Sequence, residues 1–337
     1  MPGVTTLLRR ILASLLLLTL ASAAPRCTAE GVQSTSEAYL NGLGILSQRD
    51  PALDHTPYTY RGCHFWEKGC LPASMTNALI AAFGVADLDN AALLLDVMVQ
   101  TAPEHRPDLY PIDPAAVSRL LFADAPDGCP GLRQVKDAMA AIVPVDQRLS
   151  GPELARQLTA LGDSRVALVF TLNIRSDWGR VLEITDALCA AGLPQARLTL
   201  CNMTVGVPDT SAPFHSSGRG GHFAALYFQA GEFHDTGAFY LLDSYPRALE
   251  GDRYAPDGGL YLEQYPFVSS RQFQAFNSLY TVTHVTPTVV RVALQPEALA
   301  DLAGLAEDPD ARTALRLRQL KPAVFYGTGA SAFLVLP

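Results

Sequence analysis

Beyond residue 23 the chain has no apolar run long enough to cross a bilayer, no internal repeat and no low-complexity linker. It also has no surplus of positive charge. The first absence predicts a chain without a membrane span once the N-terminus is removed. The second leaves one large domain with an extension rather than an array of units. Residues 1–23 hold two of the 25 basic residues and none of the 33 acidic ones, so the remaining 314 residues carry a net charge of −10. A chain of that sign is not expected to bind nucleic acid. Standard metal-ligand spacing is absent too: His215, His222, His234 and Asp235 come close together in sequence, but not in the intervals that zinc or related sites use. No metal and no cofactor is expected.

Apolar residues are plentiful, at 49% of the chain, enough for a sizeable core. At the N-terminus Arg9 and Arg10 precede the apolar run Ile11 to Leu20, followed by Ala21-Ser22-Ala23. A basic region, a short apolar stretch and a small-residue cleavage site read as a secretory signal peptide over residues 1–23. The expected location is secreted or periplasmic.

All six cysteines, Cys27, Cys63, Cys70, Cys129, Cys189 and Cys201, lie beyond that segment. An even count in an exported chain fits three disulfides. It also fits one reactive thiol and at most two bridges, and the sequence leaves both readings open.

Cys70 is the thiol that stands out. Gly69 precedes it, and the pattern from Pro72 to Phe83 is helical, with Gly84 as a stop. Unpaired N–H groups and the positive dipole end of a helix favour thiolate over thiol. Further helices are expected from Asp89 to Gln100, from Asp113-Pro114 to Phe122, over Leu132 to Ile142, and from the capping box at Ser150-Gly151-Pro152-Glu153 to Leu161. The texture changes at Arg165–Leu172, a buried strand, followed by a helix over Gly179–Ala191. Strand-like runs follow at Arg197–Met203, His222–Gln229, Ala238–Asp243 and Leu279–Val285. After residue 285 come one strand-like run, a helical stretch from Pro296 to Leu320 and an apolar tail, Ala323–Leu336.

His222 opens one of these strands and Asp243 closes the next. The connection Ala230–Gly237 is rich in turn residues. Symmetric pairing about it would set residue 228 opposite 237 and His222 opposite Asp243, with Cβ atoms about 5 Å apart. An imidazole beside Cys70 would take the thiol proton, and a carboxylate behind it would fix the tautomer. Each residue taken alone has an ordinary explanation: a buried small residue or half-cystine, a satisfied strand histidine, a turn aspartate. Their order and setting point to a Cys-His-Asp triad.

The motif Gly69-Cys70-Leu71-Pro72-Ala73-Ser74 resembles the nucleophile helix of bacteriocin-processing (double-glycine leader) peptidases, within the papain-like cysteine peptidase superfamily. Gly221-His222-Phe223 and Asp243-Ser244-Tyr245-Pro246 are similar to the strands that carry the other two catalytic residues there. Phytochelatin synthases, the next branch, share the same three islands, and Tyr261 to Asn277 is loosely similar to their aromatic segment. The resemblance covers these short islands, not the whole chain. It implies an α+β papain-like fold, with a helical lobe carrying the Cys and an antiparallel sheet lobe carrying the His and Asp. The expected organisation is a signal peptide over 1–23, the peptidase-like domain over 24–285, and a C-terminal extension over 286–337 packed on it.

The implied catalytic residues are Cys70, His222 and Asp243, acting on a peptide or small amide through an acyl-enzyme. Trp66 and Gly221 are candidate substrate-binding residues. Both branches place a glutamine six residues before the nucleophile as an oxyanion donor; here that position is His64, whose N–H can donate in its place. Leu71 replaces the usual glycine after the Cys, and 152 residues separate Cys70 from His222, more than in either branch. These departures keep two alternatives open. One is a gamma-glutamylcysteine transferase or glutathione hydrolase; the other is a catalytically silent fold acting as a binding or accessory protein. The oligomeric state is left open.

Overall fold

The computed structural model describes residues 36–48, 50–53, 65, 69–86, 91–92, 95, 141–144, 153, 156, 166–174, 179–205, 222–244, 278–305, 308–320 and 325–335. The signal-peptide region, the expected helix at 113–122, and most of those at 89–100, 132–142 and 150–161 lie outside these residues. Residues 91, 92, 95, 153 and 156 are helical, as expected. Ala141 and Ile142 are not: they open a strand, β1 (Ala141–Pro144). Two β-branched residues, Ile142 and Val143, favour the pleated surface there over the helix that the apolar spacing suggested.

The other strands are β2 (Val166–Ile174), β3 (Arg197–Val205), β4 (His222–Gln229), β5 (Phe239–Leu242), β6 (Tyr280–Thr286), β7 (Val289–Leu294) and β8 (Phe325–Val335). Among the described residues they form one eight-stranded sheet in the order β1-β2-β8-β3-β4-β5-β7-β6. β1 and β2 pair in parallel, and every other neighbouring pair is antiparallel. With its helices this is an α+β architecture.

Helix α1 (Cys70–Phe83) contains no charged residue and is buried from Ala73 to Ala82, the mark of a core helix rather than a surface one. It packs on β3, β4, β8 and β5. With Leu40, Ile45 and Leu46 it covers the face that carries Ala225, Tyr227, Tyr240 and Leu242. Gly84 ends the helix in the left-handed conformation, φ 74°, with its N–H on the Ile80 carbonyl at 2.8 Å.

The opposite face, carrying Ala224, Leu226, Phe228, Phe239 and Leu241, is covered by α2 (Gly179–Ala190), α3 (Ala230–Thr236) and α4 (Pro296–Gly304). α2 buries Val181, Leu182, Ile184, Thr185 and Leu188, a single helical stripe. The helical stretch expected over 296–320 is two helices, α4, which ends at Gly304, and α5 (Pro309–Leu320).

The expected boundary at 285/286 falls inside β6. Residues beyond it supply β7 and β8, and β8 lies between β2 and β3 with both edges paired. The last strand in the chain is thus a central strand of the sheet.

Candidate functional site

Cys70 is the first residue of α1, and Gly69 is its N-cap. The glycine is demanded by space rather than by φ, which is −78°. A Cβ at this position would overlap the Phe65 ring and carbonyl, and the Gly69 N–H donates to that carbonyl at 2.6 Å. Pro72 is tolerated because first-turn N–H groups have no intrahelical acceptor. The helix ladder begins at the Ala73 N–H, which donates to the Gly69 carbonyl at 3.0 Å. Among the described residues no side chain caps the helix. Cys70 and Cys189 are half-buried and Cys201 is buried, and all three are thiols rather than half-cystines.

Two anchors fix the direction of α1 over the sheet. Near its C-terminus, the Ala81 carbonyl accepts from the Tyr39 hydroxyl at 2.7 Å. The Tyr39 ring lies 6.0 Å from that of Tyr227 and beneath the guanidinium of Arg197, which is the register partner of Gln229. Four residues nearer the N-terminus, Asn77 binds the backbone of Leu46, and two residues on from Leu46 the chain hydrogen-bonds Ser244. The C-terminal turn of α1 therefore lies toward the Gln229 end of β4. Its Cys70 end is directed toward the end where β4 begins at His222 and β5 gives way to Asp243.

The hairpin register differs from the symmetric one. Ala225 pairs with Leu242, Leu226 with Leu241 and Tyr227 with Tyr240. Carried one residue further, this sets Asp243 opposite Ala224, so His222 and Asp243 are two residues from direct opposition. The cause is the connection, which is a capped helix rather than a plain turn. The Gln229 side chain accepts from the Glu232 N–H at 2.7 Å, and Gly237 closes α3 at φ 67°. The offset is even, so by strand alternation positions 222 and 243 continue the rows of Ala224 and Leu241, on the face covered by α2, α3 and α4 rather than the one covered by α1.

Asp243 is fully buried and its N–H donates to the Thr288 carbonyl at 2.9 Å, which docks it on the β6–β7 turn. The residue is the first after β5, beyond the last ladder pair. The backbone of His222 pairs with Val205 at the end of β3. Its side chain, and the whole of His64, Trp66 and Gly221, lie outside the described residues. His215 does too. His234, the other histidine of that sequence cluster, contacts Asp186 through Nδ1 at 2.7 Å. Among the described residues no group of His, Cys, Asp and Glu side chains could hold a metal.

His284, which the strand pattern absorbed without remark, lies in the electrostatic field of Asp243. Burial lowers its pKa below the ordinary imidazole value, and the Asp243 carboxylate opposes that shift. Its place in the row of Tyr280 and Val282, both buried, was the available signal: a histidine where alternation calls for an apolar side chain.

No family model, no curated protein and no solved structure matches the chain. Among the described residues no helix is long and apolar enough to cross a membrane.

Proposed function

We propose that this chain is an exported papain-like cysteine hydrolase that cleaves an amide bond in a peptide or small amide. The observation that supports this reading is the direction of α1. An uncharged, buried helix presents a half-exposed thiol at its N-terminus, toward the sheet end that holds the start of β4 and the buried Asp243. Cys70 gives its proton to His222 and its sulfur adds to the substrate carbonyl. The imidazolium returns the proton to the leaving amine, and the C–N bond breaks to leave a thioester. Water then adds to the thioester as His222 takes its proton, and the thiol leaves with the acyl group released as an acid. Asp243 orients the imidazole and stabilises its charged form. The Cys70 backbone N–H and His64 donate to the oxyanion, and Trp66 and Gly221 line the substrate.

The test is selective alkylation. Iodoacetamide at mildly acidic pH labels Cys70 ahead of Cys189 and Cys201, because a thiolate held by a helix N-terminus and an imidazole persists below the free thiol pKa of about 8.5. A panel of peptides against glutathione then identifies the substrate class. A Cys70 that is inert in the folded protein would falsify the hydrolase reading and favour a silent fold.

A further inference from the structure

Residues 44–48 run alongside α1 and are tied to it and to the Asp243 corner by neutral hydrogen bonds. The Gly44 N–H donates to the Val85 carbonyl at 3.0 Å, just beyond the helix C-terminus. Asn77, fully buried, grips the next part of the segment with both ends of its amide. Its Oδ1 accepts from the Leu46 N–H at 2.8 Å, and its Nδ2 donates to the Leu46 carbonyl at 3.0 Å. Two residues on, the Gln48 N–H donates to the Ser244 carbonyl at 2.6 Å, and the Ser244 hydroxyl donates to the Gln48 Oε1 at 2.9 Å. Gln48 is 2% exposed, and Ser244 is fully buried next to Asp243.

Buried amides of this kind are costly to leave unmade, so the geometry they define is held firmly. Asn77 lies two turns from Cys70 on the same helix. Ser244 adjoins Asp243 covalently. We propose that residues 45–48 are a positioning strap whose bonds to Asn77 and Ser244 set the separation between the Cys70 thiol and the Asp243 corner. Asn77, Gln48 and Ser244 are positioning residues in this account. The proposal rests on the cysteine-hydrolase reading, since a separation matters only if the two ends work together.

The experiment is the pH profile of iodoacetamide alkylation at Cys70, followed by mass spectrometry, in the wild type, Asn77→Ala and Ser244→Ala. Cys201, fully buried in the same core as α1, serves as the sentinel for loss of packing. The wild type is expected to show a low-pH limb of Cys70 labelling. Asn77→Ala should lose about tenfold of the labelling rate on that limb, equivalent to one pKa unit of thiolate stabilisation. Ser244→Ala, which removes a single hydroxyl, should lose about threefold, with Cys201 still protected. A merely structural role would change the melting temperature and leave the Cys70 profile in place.

Both variants keeping the wild-type profile overturns the strap while the hydrolase reading stands. A wild-type profile with no low-pH limb overturns the hydrolase reading, and the strap falls with it. Should Asn77→Ala expose Cys201, the Ser244→Ala profile decides alone.

Discussion

At the end of the sheet where α3 turns the chain, charge is paired with charge. Arg316, 3% exposed, donates to the Asp186 Oδ1 at 2.7 Å and to the Phe233 carbonyl at 2.9 Å, and His234 shares the same Asp186 oxygen. Arg312 reaches the His234 and Asp235 carbonyls at the end of α3. Around the edge, the fully buried Glu232 receives the Tyr240 hydroxyl and the Arg291 Nε. At the opposite end, among the described residues, the ties are the amides and hydroxyl of Asn77, Gln48 and Ser244, and the buried carboxylate of Asp243 lies in the field of an imidazole, His284. A carboxylate locked to an arginine is committed to structure. Among the described residues the Asp243 carboxylate lies in the field of the His284 imidazole, and a carboxylate acting on an imidazole is what a triad requires.

Substitutions at the two ends should separate along this line. The largest effect is expected at the thiol: Cys70→Ala abolishes hydrolysis, a loss of more than about a thousandfold in kcat, with little change in melting temperature. Retained activity would remove Cys70 from the mechanism. Asp243→Asn follows, with a smaller loss in kcat on the order of 10²- to 10⁴-fold, because asparagine still contacts the ring but no longer balances its charge. Steady-state kinetics on a responsive substrate measures both.

Arg316→Ala should act in the other currency. It leaves Asp186 and the Phe233 carbonyl without their buried donor and costs about 3 kcal/mol by denaturant titration, while Cys70 alkylation keeps its wild-type pH profile. A changed profile would mean that the ends are coupled, and the comparison would fail.

The smallest effects concern pH. Burial raises the pKa of Glu232, against the pull of Arg291, so the folded state holds its proton longer than the unfolded chain does. That contribution is present below the ordinary carboxylate pKa and is lost as pH rises through the folded value. Asp186 has the opposite sign. Burial pushes it up, but His234 and Arg316 outweigh that and hold it below the ordinary value. Its contribution is present above the unfolded pKa and is lost as pH falls through the folded one. Relative to the wild type, Glu232→Gln should therefore gain stability as pH rises through the carboxylate range. Asp186→Asn should lose least at the acid end. Urea midpoints at three or four pH values check the two signs, and parallel slopes for the two variants would contradict them.

Much of the local structure was legible because local physics decides it. Gly84 in the left-handed region stops α1 where a helix stop was expected, and β4 covers the strand-like run marked in the sequence, His222 to Gln229. The register of β4 on β5 was not legible, because a turn-rich connection gives no hint that Gln229 will cap a seven-residue helix and move the pairing by two. The helix expected up to Ile142 failed for a similar reason: spacing cannot tell a helix from a short buried strand when the decisive neighbour, β2, is supplied from residues 166–169. Neither the Phe65 contact that makes Gly69 obligatory nor the Asn77 grip on Leu46 leaves a trace in a pattern of residue types.

The sequence by itself determined where this chain would be helical and extended over most of its described length, and that a thiol would stand at a helix start. These outcomes depend on residues within a turn or two of one another, on glycine at a left-handed stop, and on the spacing of apolar side chains. Tertiary structure alone decided that the final strand, Phe325–Val335, would enter the middle of the sheet. It also decided that α1 would point its Cys70 end toward the Asp243 corner, and that ion pairs would gather at the far end. Those outcomes rest on contacts between residues 31 to 196 positions apart. Their free energy comes from burial and from hydrogen bonds completed only when the layers meet, and no local window of the sequence contains both partners.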